Sequence, residues 1–268
     1  MDRALKTRQL AMNHSGARLN VEYFVRPGPG RTLLYLHGLG CSKSDFAEAA
    51  RQRSLDRYTL MALDFPGCGG TAYPPDAEYG MDDLAAITGL FIERLSLEAP
   101  VLVGHSMGGL VALLYAHEHP DRVAGLVNVE GNLAAEDCFV SQGISEQDPT
   151  YFQTIGLPDM IADLDASGNP GFRRLAATLR SGSDPRAMHD YAPSLVRHSK
   201  SGRLLPYFVA ARMPKLFVYG SQNQGLSYIP WLAQNRVPTA KIPKSDHFPG
   251  YDNPAVFYPT LAHFLKDI

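Results

Sequence analysis

Cysteine is scarce in these 268 residues: Cys41, Cys68 and Cys138 are all there is. None falls in a CxxC spacing, which sets aside thioredoxin-like redox motifs and zinc ribbons. An odd, sparse count suits free thiols in a reducing compartment, and the expectation is a cytoplasmic protein. Long hydrophobic runs are missing as well. Stretches such as VALLYA and LLYL fall far short of the roughly 18 residues that span a bilayer, so no membrane partner is expected. The opening MDRALKTRQLAMNHSG has no apolar h-region, and no secretory leader is expected. Nor is there an excess of one charge. Twenty-five Lys and Arg face 27 Asp and Glu, a net charge of −2. A nucleic-acid binder would show a basic stripe or surplus. HExxH is absent, and His117 and His119 do not share a helix face. Gly67-Cys68-Gly69-Gly70 lacks both the P-loop lysine and the GxGxxG spacing, so it reads as a tight turn. Neither a metal nor a cofactor is expected.

What the chain does have is an alternating order of elements. Arg8–Met12 and Ala17–Val25 read as strands, the second with Val21, Tyr23 and Val25 on one face. Pro27-Gly28-Pro29-Gly30 is a turn cluster. Thr32–Leu36, Thr59–Leu63, Val101–Val103, Gly125–Val129 and Lys215–Tyr219 are short, continuously apolar runs, as strands buried on both faces should be. Helical patterns lie between them at Ser44–Arg53, Met81–Leu95, Gly108–His119, Ile229–Asn235 and Ala255–Lys266. The class is therefore α/β, a mostly parallel sheet flanked by helices. In such sheets the chemistry sits just past the C-terminal strand ends.

One segment interrupts the alternation. About 80 residues from Gly131 to Arg212 carry no buried strand, far more than an ordinary connection. Helical pieces are expected near Asp159–Ala166, Phe172–Arg180 and Pro185–His198. The expected organisation is a core of residues 1–130 and 213–268, with residues 131–212 inserted as a helical cap.

The sharpest motif is Gly104-His105-Ser106-Met107-Gly108, between an apolar run and a helix. G-x-S-x-G in that setting places a serine on a strained turn with its hydroxyl exposed, and the glycines remove side chains that would collide. With LYLHGLG (34–40), LDFPGCGGT (63–71) and SDHFPGYDNP (245–254), this stretch resembles the α/β-hydrolase superfamily over nearly the whole chain. The resemblance implies an eight-stranded sheet, a nucleophile at Ser106 and a cap between strands six and seven. It also implies a base at His247 and oxyanion amides on Leu39 and Met107. His37, just before the oxyanion loop, is expected to shape it.

The acid is less obvious. Most members carry it after strand seven, where this chain reads Gly220-Ser221-Gln222-Asn223 with no carboxylate. Glu130 follows the Gly125–Val129 run at its C-terminal end, as in members with the acid after strand six, and preserves the order Ser, acid, His. Asp246, Asp252 and Asp137 are weaker alternatives. On this reading Asn223 is a loop residue whose replacement by Asp changes little. A serine with an oxyanion hole is acyl-transfer equipment. The expected activity is hydrolysis of small to medium, mainly apolar carboxylic esters. Thioesterase, lactonase or carbon–carbon hydrolase activity would use the same parts, and a non-catalytic ligand-binding protein is the reading from another class. Tyr151, Phe152, Met160, Met188, Tyr191 and Phe248, with His37, are the expected substrate contacts. The expected partner is a small ester-like molecule, with oligomeric state open.

Overall fold

The computed structural model describes residues 4–268. Eight strands form one sheet in the order β1-β2-β4-β3-β5-β6-β7-β8. These are β1 (Lys6–His14), β2 (Ala17–Arg26), β3 (Gly30–Leu36), β4 (Tyr58–Leu63), β5 (Val101–His105), β6 (Gly125–Val129), β7 (Lys215–Gly220) and β8 (Thr239–Ile242). Strand β2 runs antiparallel to β1 and β4, while β4 through β8 pair in parallel along the sheet. The apolar runs are the central strands, and every residue of β5 and β6 is buried. Both faces must be covered for such strands to persist.

Helices α1 (Met81–Arg94) and α2 (Met107–Glu118) pack on one face, around Leu34, Leu36, Leu102 and Phe217. Helix α2 is buried continuously from Met107 to Ala116, as expected of a helix that is apolar all round. The other face, with Leu33, Tyr35, Val103 and Val127, is covered by the chain's last helix, Pro254–Phe264, and the turn at residues 43–55. The helix expected over 44–53 is 3₁₀, Lys43–Arg51 followed by Arg53–Leu55. A capping box of Ser42 and Asp45 starts it. Lys43 then bridges Glu22 (2.7 Å) and the buried Asp64 (2.6 Å), which also accepts from the Lys43 and Gly70 amides. That cluster ties the loops after β3 and β4 together.

Between β6 and β7 the chain is helical: α3 (Ser141–Ser145), α4 (Pro149–Tyr151), α5 (Leu157–Ala166), α6 (Pro170–Gly182), α7 (Pro185–Lys200) and α8 (Leu204–Ala210). Three of these match the expected pieces. Helices α3 and α8 carry too few residues to show a period. Proline at N1, preceded by a capping Asn169 or Asp184, starts α6 and α7. Ile144, Phe152, Leu175 and Met188 share a cluster with Cys41 and Phe248 of the sheet's loops, so this segment packs onto the C-terminal strand ends. After β7 follow α9 (Ile229–Gln234), α10 (Pro249–Asp252) and α11 (Pro254–Phe264). No helix among the described residues is long and apolar enough to cross a membrane.

The crossing of α2 over the sheet depends on glycine. A Cβ on Gly108 would sit 2.1 Å from the Leu36 carbonyl oxygen, and one on Gly104 would sit 2.3 Å from that of Gly108. Backbone cannot yield as a side chain can. Gly108→Ala is expected to cost about 3 kcal/mol or more. Gly143 is the opposite case, helical with nothing near its Cβ position, and Gly143→Ala should gain about 0.5–1 kcal/mol. Urea unfolding of the two variants checks both signs.

Candidate active site

Ser106 lies between β5 and α2 with φ 53° and ψ −123°. Such a conformation is costly for a non-glycine residue and persists only where the surroundings enforce it. Here they do. The Ser106 amide donates to the Val129 carbonyl at 3.0 Å, and the Ser106 carbonyl accepts from Gly109 at 2.8 Å. The strand register and the helix start therefore grip the residue from both sides. The Met107 amide lies in the first turn of α2, and the Leu39 amide in the loop after β3. Among the described residues no backbone carbonyl accepts from either.

His37 explains how the loop after β3 is held. The ring is fully buried; Nδ1 donates to the Gly38 carbonyl (2.8 Å) and Nε2 accepts from the Phe65 amide (3.0 Å). That pairing selects one neutral tautomer, and burial holds the pKa below the ordinary value. His37 therefore braces the loop and, contrary to expectation, does not border the cavity at Ser106.

Glu130 directly follows β6 with φ 50° and lies 4% exposed at its side chain. The Glu130 amide donates to the Val218 carbonyl at 2.8 Å. Oε1 accepts from the Gly220 amide at 2.6 Å, and Oε2 from Asn223 Nδ2 at 3.0 Å. Oε2 also faces His247 Nδ1 at 3.4 Å. The last distance is long for a charged pair, as such bonds often are before a substrate tightens them. Asp246 contacts the His247 main-chain amide (2.8 Å). Asp252 accepts from the Asp246 and Gly171 amides and so joins α10 to α6. Among the described residues Glu130 is the carboxylate on the His247 ring.

Asn223 does more than a bystander would. The same Nδ2 reaches Asp246 Oδ1 at 3.3 Å as well as Glu130, so one amide stands between two carboxylates. The sequence suggested that Asp in its place would be harmless. In this setting it would put a third carboxylate against two others, which raises carboxylate pKa values.

His105 sits beside the site. Nε2 donates to the His247 carbonyl (2.8 Å), and the ring packs on those of His247 and Phe248, with centroids 4.9 and 4.8 Å away. Burial drives the His105 pKa down to about 3, with the neighbouring His247 adding to the effect. The ring is neutral at working pH. Burial likewise pushes up the thiols of Cys41 and Cys68, which disfavours the reactive thiolate.

Ser106, His247 and His105 border one small cavity, about 50 Å³, with Leu39, Phe248 and Ser141 among its walls. By the same measure that is room for roughly three or four water molecules. Of the expected contacts, Phe248 lines it. Tyr151, Phe152 and Met160 instead line a broader open groove of about 480 Å³ on the outer side. Phe139, Val140, Leu164 and Phe172 border both spaces. Phe139 is 58% exposed and stands edge-on to the His247 ring at 5.0 Å; only its contacts reveal its place. Met188 and Tyr191 line neither space. Met188 packs where a Cβ on Gly40 would lie, and the buried Tyr191 hydroxyl donates to the Pro66 carbonyl (2.6 Å). These two residues of α7 meet the loops, while Leu195, farther along the same helix face, borders the cavity. Asn132, which gave no signal in the sequence, and Asp137, one of the weaker candidates for the acid, also border the cavity. Burial raises the Asp137 pKa to about 6, against three accepted hydrogen bonds that lower it. A larger depression, about 810 Å³, lies between residues 15–20 and 72–79 and includes neither Ser106 nor His247. Among the described residues no group of three or more His, Cys, Asp or Glu is placed to hold a metal ion.

Comparison with known proteins agrees with this fold. A segment of the acetyltransferase component of the acetoin cleaving system of Cupriavidus necator is 33% identical over 111 residues, 41% of this chain and 29% of that protein. The chain spans 29 to 40% of the length of three curated relatives matched in this way. Solved structures superpose over the full length. An N-acyl homoserine lactonase complexed with N-hexanoyl homoserine gives a TM-score of 0.78 at 21% identity, covering 98% of this chain and 97% of that one. A thermophilic esterase from Thermogutta terrifontis gives 0.75 at 19%, covering 98% of each. The family model for the alpha/beta hydrolase fold matches residues 31–254, and with the elbow at Ser106 and this strand order the chain belongs to that family.

Proposed function

We propose that the chain is a serine hydrolase that cleaves carboxylic esters through an acyl-enzyme. The observation that carries this is the meeting of Glu130 Oε2 with His247 Nδ1 on the rim of the cavity that holds Ser106. Ser106 is the nucleophile, and His247 takes its proton and returns it to the leaving group. Glu130 fixes the imidazole tautomer and stabilises the imidazolium that forms. Leu39 and Met107 amides receive the developing oxyanion. His105, neutral, backs the His247 ring without adding a charge. Residues 131–212 act as the cap over the site, and the cavity walls select a mainly apolar small molecule. The esterase among the structural relatives supports this reading. Intramolecular esters form a second reading, supported by the structural likeness to the lactonase; thioesters and carbon–carbon cleavage would need the same groups. The protein acts in the cytoplasm on a small molecule, without metal or cofactor.

Turnover of 4-nitrophenyl butyrate tests the proposal. Ser106→Ala should remain folded by circular dichroism and lose about 10⁶-fold in kcat. Retained turnover would remove Ser106 from the mechanism.

The acid is tested separately. Glu130→Gln should lower kcat by about 10²–10⁴-fold. Asn223→Asp should also lose, by about tenfold or more, because like charges crowd Glu130. An Asn223→Asp variant as active as the parent, with a Glu130→Gln variant that stays active, would move the acid elsewhere.

A further inference from the structure

The Ser106 cavity contains a second hydroxyl that the proposed chemistry does not use. Ser141 opens α3 and is 3% exposed. Ser141 Oγ has no hydrogen-bond partner, although the residue lines the cavity with Ser106 and His247. Buried hydroxyls are nearly always paired, and an orphan calls for an explanation. A serine in a helix ordinarily bonds back to a carbonyl one turn earlier. Ser145, on the same helix, does so, donating to the Gln142 carbonyl at 2.8 Å. Ser141 does not.

The other polar walls are committed. Asn132 Nδ2 donates to the Asp137 carbonyl (3.1 Å) and to Ser199 Oγ (3.3 Å). Asp137 Oδ2 accepts from the Leu133 and Ala134 amides, and Oδ1 accepts from the Tyr228 hydroxyl. His105 Nε2 is held by the His247 carbonyl. The Cys41 thiol is only a weak donor and is 2% exposed. Set against Val140, Leu164, Phe172, Leu175, Leu195 and Phe248, and apart from Ser106 and His247, Ser141 is an unspent donor in an apolar surround. A lone polar group in such a wall fixes orientation and specificity.

We infer that Ser141 is a substrate-recognition residue, donating a hydrogen bond to an ether, carbonyl or hydroxyl oxygen carried by the substrate a few bonds from its scissile carbonyl. This rests on the hydrolase reading for its site but makes a separate claim about the ligand. An apolar ester leaves the Ser141 hydroxyl unpaired in the closed complex, whereas an ester with an oxygen at the matching place pairs it. The site therefore selects oxygenated esters over carbon isosteres of the same shape.

Two isosteric pairs differ only in CH₂ against O. Ethyl butyrate and ethyl methoxyacetate place it in the acyl half; butyl acetate and 2-methoxyethyl acetate place it in the alcohol half. For each pair the oxygen-to-carbon ratio of kcat/KM is measured in the parent and in Ser141→Ala. Dividing the ratios cancels the intrinsic reactivity of the esters. A fall of about five- to tenfold in one pair is expected, the worth of one hydrogen bond, and it also tells which half carries the oxygen. Ser141→Cys, which keeps the shape and weakens the donor, should fall between. Calorimetric binding of the same four esters to Ser106→Ala, with and without Ser141→Ala, reads the preference without turnover. A Ser141-dependent binding preference without turnover of any ester would leave this inference standing and remove the hydrolase reading. Ratios unmoved by Ser141→Ala in both measurements would overturn the inference. So would a lower melting temperature for Ser141→Ala, since removing an orphan hydroxyl should leave it equal or higher.

Discussion

Both oxygens of the Glu130 carboxylate are engaged, and three stretches of chain converge on them. The residue directly follows β6, its oxygens hold the start of the loop after β7 through Gly220 and Asn223, and one of them faces the His247 ring beyond β8. A carboxylate this buried is tolerable only when its acceptor sites are filled. The requirement therefore works in both directions. The loops give Glu130 its partners, and Glu130 gives the loops a common origin. Its positive φ turns the chain sharply at the strand end, where Gly131 then bonds Asn128 Oδ1 at 2.8 Å. The path into the helices over the sheet thus begins at the carboxylate itself.

The Asn223 position acquires its sense from the same group. Here a neutral amide donates to Glu130 and to Asp246 together, a task no carboxylate at physiological pH performs. Glu130 and Asn223 thus form one electrostatic arrangement, a buried carboxylate and the neutral donor that faces it.

How much of this was legible in the sequence follows from the range of each signal. The elbow at Ser106 is local: five residues, an apolar run before and an apolar helix after. Glu130 was legible as the first residue past a buried strand, and His247 by its loop and order. The sheet was readable because strands buried on both faces are apolar without interruption. The direction of a helix face was not. Met188, Tyr191 and Leu195 share one helix face, but nothing in their spacing says which of them meets the cavity, as Leu195 does, and which meet the loops beneath it. Helix α3 has five residues, too short for a period, so Ser141 gave no signal. The 3₁₀ form of residues 43–51 was hidden because its amphipathic pattern resembles an α-helix. Asn223 could not be understood before Asp246 and Glu130 were seen on either side of it.

The size of the Ser106 cavity has a kinetic meaning. A space that admits only a few waters is smaller than an ester with its acyl and alcohol halves, so on the proposed hydrolase reading a wall yields before the substrate binds. The wall shared with the outer groove starts at Phe139 and continues into α3. Among the described residues, three of the five buried side-chain atoms without a partner, on Ser141, Gln142 and Gln147, belong to the segment that follows. Those three atoms give up no hydrogen bond when the segment moves, and apolar packing such as that of Ile144 holds it in place. On the proposed hydrolase reading, the frequency of that opening bounds turnover independently of the groups at Ser106, His247 and Glu130.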